Sequence, residues 1–197
     1  MAFSKLTKRI TLCLVILALI LLGALWLLRR HGRADITQGQ TQRSITVESS
    51  SFSNGDNIPQ QFTCDGADRS PEIHWPSPPS GTRSLAIVMD DPDAPLGFVH
   101  WLVYDIPVEA HEMVEGASSQ GGLPHGAVEG INSSGTAGYT GPCPPGAKPH
   151  HYVFHLYALD VPLDLPPGQN KEQLAAAVKD HVLAEGRITG LYSHARQ

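Results

Sequence analysis

Basic residues are scarce in most of this 197-residue sequence. Six of the 14 Lys and Arg residues lie in residues 1–33, which contain no acidic residue. Residues 34–197 therefore carry eight basic and 19 acidic residues, a net charge of −11. A domain this acidic is a poor partner for nucleic acid or for an anionic membrane surface, because both attract clustered positive charge. Any anion that it binds must be held locally by a few directed donors.

Short motifs of common hydrolases are also missing. The sequence has no G-x-S-x-G, which presents a nucleophilic serine on a turn, and no H-E-x-x-H, which places two zinc ligands on one helix face. Glycine and proline are frequent instead, with 19 and 16 residues. That composition favours many turns and short strands over a helix bundle, and the length indicates one domain with an appendage.

The appendage is an apolar run near the N-terminus. Residues 10–28 carry no charge, and as a helix they would span about 28 Å, close to the thickness of a bilayer core. We predict a single transmembrane helix over residues 10–28, between a tail of residues 1–9 and a linker of residues 29–43. A cleaved signal peptide and a buried core helix are the alternatives. The short tail favours a periplasmic or extracytoplasmic location for a domain of residues 44–197.

That domain shows mostly strand signals. Three apolar runs are rich in β-branched and aromatic residues and predict buried strands: 84–89, 98–106 and 152–159. One helix is predicted over residues 171–184, with Asn170 as its N-cap and Gly186 as its C-terminal cap. This order predicts a mainly β fold, an antiparallel β-sandwich with peripheral helices.

Two polar clusters are candidates for a functional site. The first is the loop of residues 90–95, which holds Asp91 and Asp93 together with two prolines, Pro92 and Pro95, and is followed by His100. Proline fixes the backbone of this loop, so its carboxylates have preset directions. We expect the His100 side chain to share a strand face with Leu102 and Tyr104, because side chains alternate along a strand.

The second cluster is the glycine- and proline-rich segment 132–146, which leads into His150, His151 and Tyr152. Glycine lets backbone amides approach an anion closely. Each feature alone also has an ordinary structural explanation, as a turn, a hydrogen-bonded histidine or a connecting loop. We assign His155 and His181 to structural or surface roles.

Taken in order, several segments resemble the phosphatidylethanolamine-binding protein family, most closely its bacterial, Raf-kinase-inhibitor-like branch. They are CDG (64–66), SPEIHW (70–75), DDPDAP (90–95), HW (100–101), GYTGPCPPGAKPHHY (138–152) and FHLYALD (154–160). The resemblance covers about residues 45–195. It implies a Greek-key β-sandwich with a small anion pocket at one end.

The resemblance also implies which residues form that pocket. They are Asp91, Asp93, His100, Gly141, Pro142, His150 and Tyr152. The histidines and the tyrosine would donate to a phosphate, while the carboxylates would raise a histidine pKa or bind the ammonium of a phosphoethanolamine group. Cys64 and Cys143 lie in loops on the pocket side by the same resemblance. A disulfide between them and two buried free thiols are both open.

From these features we predict a membrane-tethered module that binds a small anion or a phospholipid head group and can regulate a partner protein. The alternatives are an inhibitor of a kinase or protease, and a hydrolase that holds a metal through Asp91, Asp93, His100 and His150. We expect no catalytic activity, no cofactor, no resident metal and no nucleic-acid partner.

Overall fold

The long strands of the fold coincide with the apolar runs. The structure is a computed structural model that describes residues 43–118 and 121–194. Its long strands are β3 (Ser84–Asp91), β4 (Phe98–Ile106), β7 (His150–Leu159) and β8 (Val182–Tyr192). The three runs predicted as strands are therefore confirmed as strands.

Shorter elements complete the description. They are β1 (Arg43–Ser44), a 3₁₀ turn (Gln60–Phe62), β2 (Ile73–His74), β5 (Glu112–Met113), β6 (Val128–Glu129) and helix α1 (Lys171–Val178). The large sheet has the order β1-β8-β7-β3-β4-β6, and β2 pairs with β5 in a second sheet. Only β1 and β8 run parallel among the described strand pairs.

Each face of the large sheet buries its own hydrophobic cluster. One cluster contains Ile73 and Met113 from the small sheet, together with Met89 of β3. The other contains Leu174 and Val178 from α1. Because both faces are covered, β3 and β4 read as continuous apolar runs rather than as alternating patterns. The layer opposite α1 consists of a two-stranded sheet and irregular segments, which a simple two-sheet sandwich does not describe.

Helix α1 begins where the sequence predicts. The side chain of Asn170 accepts a hydrogen bond from the Gln173 amide, and the Gln173 side chain accepts one from the Asn170 amide, both at 2.9 Å. This reciprocal capping box satisfies two amides that the first turn would leave unpaired.

The predicted end of the helix is wrong. Helix α1 stops at Val178, and the chain then passes through Asp180, which has a positive φ of 67°. Gly186 belongs to β8, where an added Cβ would lie 2.1 Å from the Ile45 carbonyl oxygen. Pairing of β8 with β7 along almost its whole length outweighs the weaker helical periodicity of this segment.

The predicted fold class also needs correction at the N-terminus. Within residues 43–118 and 121–194, no helix is long and apolar enough to cross a membrane. The fold class is therefore corrected from a sandwich with a transmembrane helix to a mainly β fold with one α-helix in the described part of the chain. The predicted span, residues 10–28, lies outside the described residues.

Candidate ligand-binding site

The ends of four strands meet at one end of the large sheet, a region called here the strand-end site. Asp91 at the end of β3 pairs with Phe98 at the start of β4, and His150 at the start of β7 pairs with Tyr192 at the end of β8. This arrangement brings Asp91, His150 and their neighbours to the same end of the fold. The hairpin topology of the sheet is thus what positions the candidate site.

Asp91 is the buried residue at the centre of the strand-end site. Its Oδ2 accepts a hydrogen bond of 2.7 Å from Nδ1 of His150, and the two side chains are only 5% and 10% exposed. Its Oδ1 accepts from the amides of Asp93 and Ala94. One carboxylate therefore shapes the acidic loop and orients an imidazole at the same time. The remaining ring nitrogen of His150 is Nε2.

Asp93 lies in the same loop but has a different partner. Its Oδ2 accepts from the backbone amide and from Nδ1 of His151, at 2.9 and 2.7 Å. These hydrogen bonds lower the pKa of Asp93. Both side chains are partly exposed, at 31% for Asp93 and 57% for His151. The structure therefore pairs Asp93 with His151, a residue that the sequence pattern did not single out.

His100 lies on the opposite face from the one expected. Leu102 and Tyr104 belong to the cluster under α1, whereas the His100 ring contacts Tyr152 edge-on at 5.2 Å between centroids, on the other face. The register between β3 and β4 shifts beside His100, between Met89 and Asp90. Such a bulge inserts an extra residue and re-aims a side chain, which simple alternation along the strand cannot anticipate.

The His100 ring is held by the loop before β7. Its Nδ1 donates to the Thr140 carbonyl oxygen at 2.6 Å. Burial lowers the pKa of His100, although Thr140 and nearby carboxylates, including that of Asp91, oppose this effect. The carboxylates thus act on this pKa in the expected direction, but burial outweighs them and the pKa lies below its usual value. Near pH 7 the ring is neutral, and its Nε2 is an acceptor.

Tyr152 is a fully buried residue of the strand-end site. The side chain packs in the hydrophobic cluster and contacts His100. Its hydroxyl donates no hydrogen bond to the described residues, and the Cys143 backbone makes only a weak contact that slightly opposes the raised pKa. Burial raises the pKa of Tyr152, and the charges of Asp91 and Asp93 add to this effect. The hydroxyl therefore stays protonated and can donate a hydrogen bond.

Gly141 and Pro142 fix the loop beside His100. The Gly141 amide donates to Oδ1 of Asp68 at 2.7 Å, and an added Cβ at Gly141 would lie 2.6 Å from the Phe62 carbonyl oxygen. The Pro142 carbonyl oxygen accepts from the Cys64 amide. Both residues thus join the loop to the segment after the 3₁₀ turn. Asp68 was not predicted, and an aspartate in a polar turn gave no distinguishing signal.

Asn132 organises the glycine-rich segment from within. Its Oδ1 accepts from the amides of Ser134 and Thr136, while its Nδ2 donates to Gly138 and Thr140. The amides of Gly135, Gly138 and Gly141 all donate to protein oxygens. These three glycines therefore do not offer their amides to an anion.

Cys64 and Cys143 are joined by a disulfide, with their Cα atoms 5.5 Å apart. The bond links the segment after the 3₁₀ turn to the loop that ends in Pro142. Asp91, Asp93, His100 and His150, named for a metal-dependent hydrolase, do not form a metal-ligand cluster in the described part of the chain. The group found there is Cys64, Cys143 and His194.

His155 has a structural role, because its ring forms ion pairs with two carboxylates. Its Nδ1 lies 3.2 Å from Glu185 and its Nε2 lies 3.4 Å from Asp90, which also binds Lys171 at 2.8 Å. These four residues, called here the ion cluster, lie in and beside the large sheet on the side of α1. Among the described residues, the His181 side chain forms an ion pair with Asp160 alone, at the surface, so it is the better control histidine.

Comparison with known proteins gives a consistent result. The model of the family described as phosphatidylethanolamine-binding protein matches residues 48–193. A protein of Methanothermobacter thermautotrophicus, named UPF0098 protein, is 44% identical over 149 residues, which cover 75% of this chain and 98% of that protein. A Mycobacterium tuberculosis protein named "Putative lipoprotein LppC" is 40% identical over 158 residues, covering 79% and 76%.

A solved structure shares the fold. The crystal structure of Escherichia coli YbcL, titled a new member of the mammalian PEBP family, superposes with a TM-score of 0.71 at 33% identity. The match covers 77% of this chain and 99% of YbcL. The similarity thus extends over the part of the chain that contains all the site residues described above.

Proposed function

Because this chain belongs to the phosphatidylethanolamine-binding protein family, we propose that its strand-end site binds a small phosphate or a phosphoethanolamine head group. One observation carries the proposal: two buried histidines are each fixed through Nδ1, by Asp91 and by the Thr140 carbonyl. Fixing Nδ1 leaves Nε2 of both rings for a ligand. Hydrogen bonding at one ring nitrogen sets the role of the other.

The two rings have complementary roles. Asp91 holds Nδ1 of His150, so Nε2 is the atom of this ring that bonds a phosphate oxygen. His100 is neutral near pH 7 because burial lowers its pKa, and its Nε2 accepts a hydrogen bond. A protonated phosphate oxygen or an ammonium group supplies the matching donor. The Tyr152 hydroxyl supplies a further donor beside His100.

The residue roles predict a graded loss of binding. Replacing His100 or His150 by alanine is expected to weaken phosphate and phosphoethanolamine binding by about ten- to a hundredfold, the value of a charge-assisted hydrogen bond. Tyr152→Phe is expected to cost about two- to tenfold, because it removes one hydroxyl and leaves the aromatic ring and both histidines in place. Calorimetric titration of the full-length protein measures each affinity. His181→Ala is the matched control. An equal loss of affinity in this variant would show that the ligand does not bind at the strand-end site.

Sulfate is a useful probe because it stays dianionic over the pH range of interest. Any change of its affinity with pH therefore comes from the protein and not from a change in the charge of the ligand. The lowered pKa of His100 means that its Nε2 gains a proton only below the usual histidine value of 6.5. Sulfate affinity of the wild-type protein is therefore expected to rise as the pH falls below about 6.5. His100→Ala should lose this rise. A rise that persists in His100→Ala would show that another group causes it.

We propose that the domain lies in an extracytoplasmic compartment. The disulfide supports this location, because such bonds persist where the environment is oxidising. The similarity to a mycobacterial protein named as a lipoprotein supports it further.

Cysteine accessibility in cells tests this location. The chain contains three cysteines, so protein alkylated during lysis without reduction is expected to gain one alkyl group, at Cys13. Reduction before alkylation should raise the number to three, as measured by intact mass. Alkylation of all three cysteines without reduction would contradict both the bond and the location.

A further inference from the structure

Three side chains of metal-ligand type, the two disulfide cysteines and His194, meet at one place on the surface. The two sulfur atoms of Cys64 and Cys143 and a ring nitrogen of His194 all lie within 4.8 Å of one another. His194 Nε2 is 3.9 Å from the Cys143 sulfur. Two sulfurs and one imidazole nitrogen are a ligand set suited to Zn²⁺ and other soft divalent metals. The proposed anion pocket uses none of these side chains.

His194 is oriented by a carboxylate. Its Nδ1 donates to Oδ2 of Asp65 at 2.8 Å, which presents Nε2 toward the sulfurs. The same Asp65 oxygen accepts from the Tyr192 hydroxyl. Metal-bound histidines commonly have such a carboxylate on their second nitrogen, because it fixes the ring and increases its basicity. The region formed by the disulfide, His194 and Asp65 is called here the corner. It contains two sulfurs and a histidine whose ring is held in place by a carboxylate.

The sulfurs are chemically available. Cys64 and Cys143 are both exposed residues, so a thiolate of a small reductant can attack the bond between them. A dithiol reductant transfers two electrons and two protons, which leaves two cysteine thiols and converts the reductant to its own disulfide. Binding of a divalent metal to both sulfurs then releases the two thiol protons to solvent.

We propose that reduction of the Cys64–Cys143 bond converts this corner into a Zn²⁺ site formed by Cys64, Cys143 and His194. The disulfide and the metal exclude each other, because the metal binds the two cysteine sulfurs as thiolates and the disulfide joins the same two sulfurs to each other. Three protein ligands leave the fourth tetrahedral position open to water or to a ligand atom. The corner adjoins the anion pocket through Pro142, whose carbonyl oxygen accepts from the Cys64 amide.

Cobalt titration tests the proposal directly. Full-length Cys13→Ser protein without a histidine tag is reduced with a phosphine, freed of reductant under argon and titrated with Co²⁺. One equivalent is expected to produce thiolate-to-cobalt charge-transfer absorption, which Zn²⁺ then abolishes by displacement. The oxidised protein should give no such band. Equal bands in both redox states, or no band in the reduced protein, would overturn the proposal.

Single substitutions test each ligand. Cys64→Ser and Cys143→Ser should each abolish the charge-transfer band at one equivalent of Co²⁺. His194→Gln and Asp65→Asn should each weaken binding by about ten- to a hundredfold, the latter because it removes the support of the histidine. His181→Gln, which also loses a histidine paired with an aspartate, should change nothing. An unchanged affinity in His194→Gln would contradict the assigned site.

Thermal unfolding covers the case in which reduction loosens the fold. Zn²⁺ is expected to raise the midpoint of the reduced Cys13→Ser protein and to leave the midpoint of its reduced His194→Gln variant nearly unchanged, since a ligand stabilises the state that binds it. A reduced protein that Zn²⁺ neither stabilises nor refolds would refute the site.

Discussion

Replacing Asp91 by alanine is expected to lower the free energy of unfolding by about 3–5 kcal/mol, because it removes three hydrogen bonds to one buried side chain, which contribute about 1–3 kcal/mol each without being additive. The substitution leaves Nδ1 of His150 without an acceptor, and the amides of Asp93 and Ala94 lose theirs as well. The His150 ring is buried, so water compensates its lost hydrogen bond poorly, whereas the two amides belong to a partly exposed loop. Urea unfolding of the wild-type and variant proteins measures the difference.

Asp93→Ala is the matched control in the same loop. Its carboxylate is 31% exposed and its partner His151 is 57% exposed, so the expected loss is only about 0–1 kcal/mol. Asp91→Asn should fall between the two, because its amide oxygen can still accept from the loop amides. Equal losses for Asp91→Ala and Asp93→Ala would mean that burial does not distinguish the two carboxylates.

Stability at alkaline pH is expected to depend on His155. Burial alone would lower its pKa, but hydrogen bonds to Asp90 and Glu185 outweigh burial and raise the pKa to about 9. Lys171 also binds Asp90, and Arg187 lies opposite His155 in the strand register. The protonated ring thus bridges two carboxylates between two neighbouring cations. Its side chain is 20% exposed, which limits screening by solvent.

The direction of the pH dependence follows from the raised pKa. The interaction is fully present below the unfolded value of about 6.5, and it is lost as the pH rises through about 9. A shift of this size corresponds to about 3 kcal/mol. The wild-type protein is therefore expected to lose up to this amount of unfolding free energy between pH 6 and pH 10.

His155→Gln should be less stable than wild-type at pH 6 and should show a much weaker decline toward pH 10. His181→Gln, a surface histidine paired with Asp160, should keep the wild-type profile. Denaturant unfolding at several pH values measures both. Parallel profiles for wild-type and His155→Gln would show that the ion cluster does not titrate as described.

The strands and the start of the helix could be predicted because their signals are local. Apolar runs matched β3, β4 and β7, and Asn170 caps α1 through its own side chain. The family was also recognisable, because several short segments occur in the right order. The match over residues 48–193 confirms that resemblance. These features depend on neighbouring residues, which a sequence displays directly.

Features set by distant partners could not be predicted. The bulge that turns His100 toward Tyr152 depends on the register between two strands. The change from helix to strand after Val178 depends on a partner strand some 30 residues away. The bonds of His155 to Asp90 and Glu185 join three different strands. In each case pairing or burial overrides the local pattern.

The position of β8 has a consequence for synthesis of the protein. β8 is the last of the described strands to be made, yet it lies in the large sheet between β1, the first described strand, and β7. While the ribosome is still translating, β7 has an unpaired edge, and such an edge can pair with another chain. Closure of the sheet must therefore wait until residues 182–192 emerge. The nascent chain thus passes through a late stage in which it is exposed to aggregation and to chaperones.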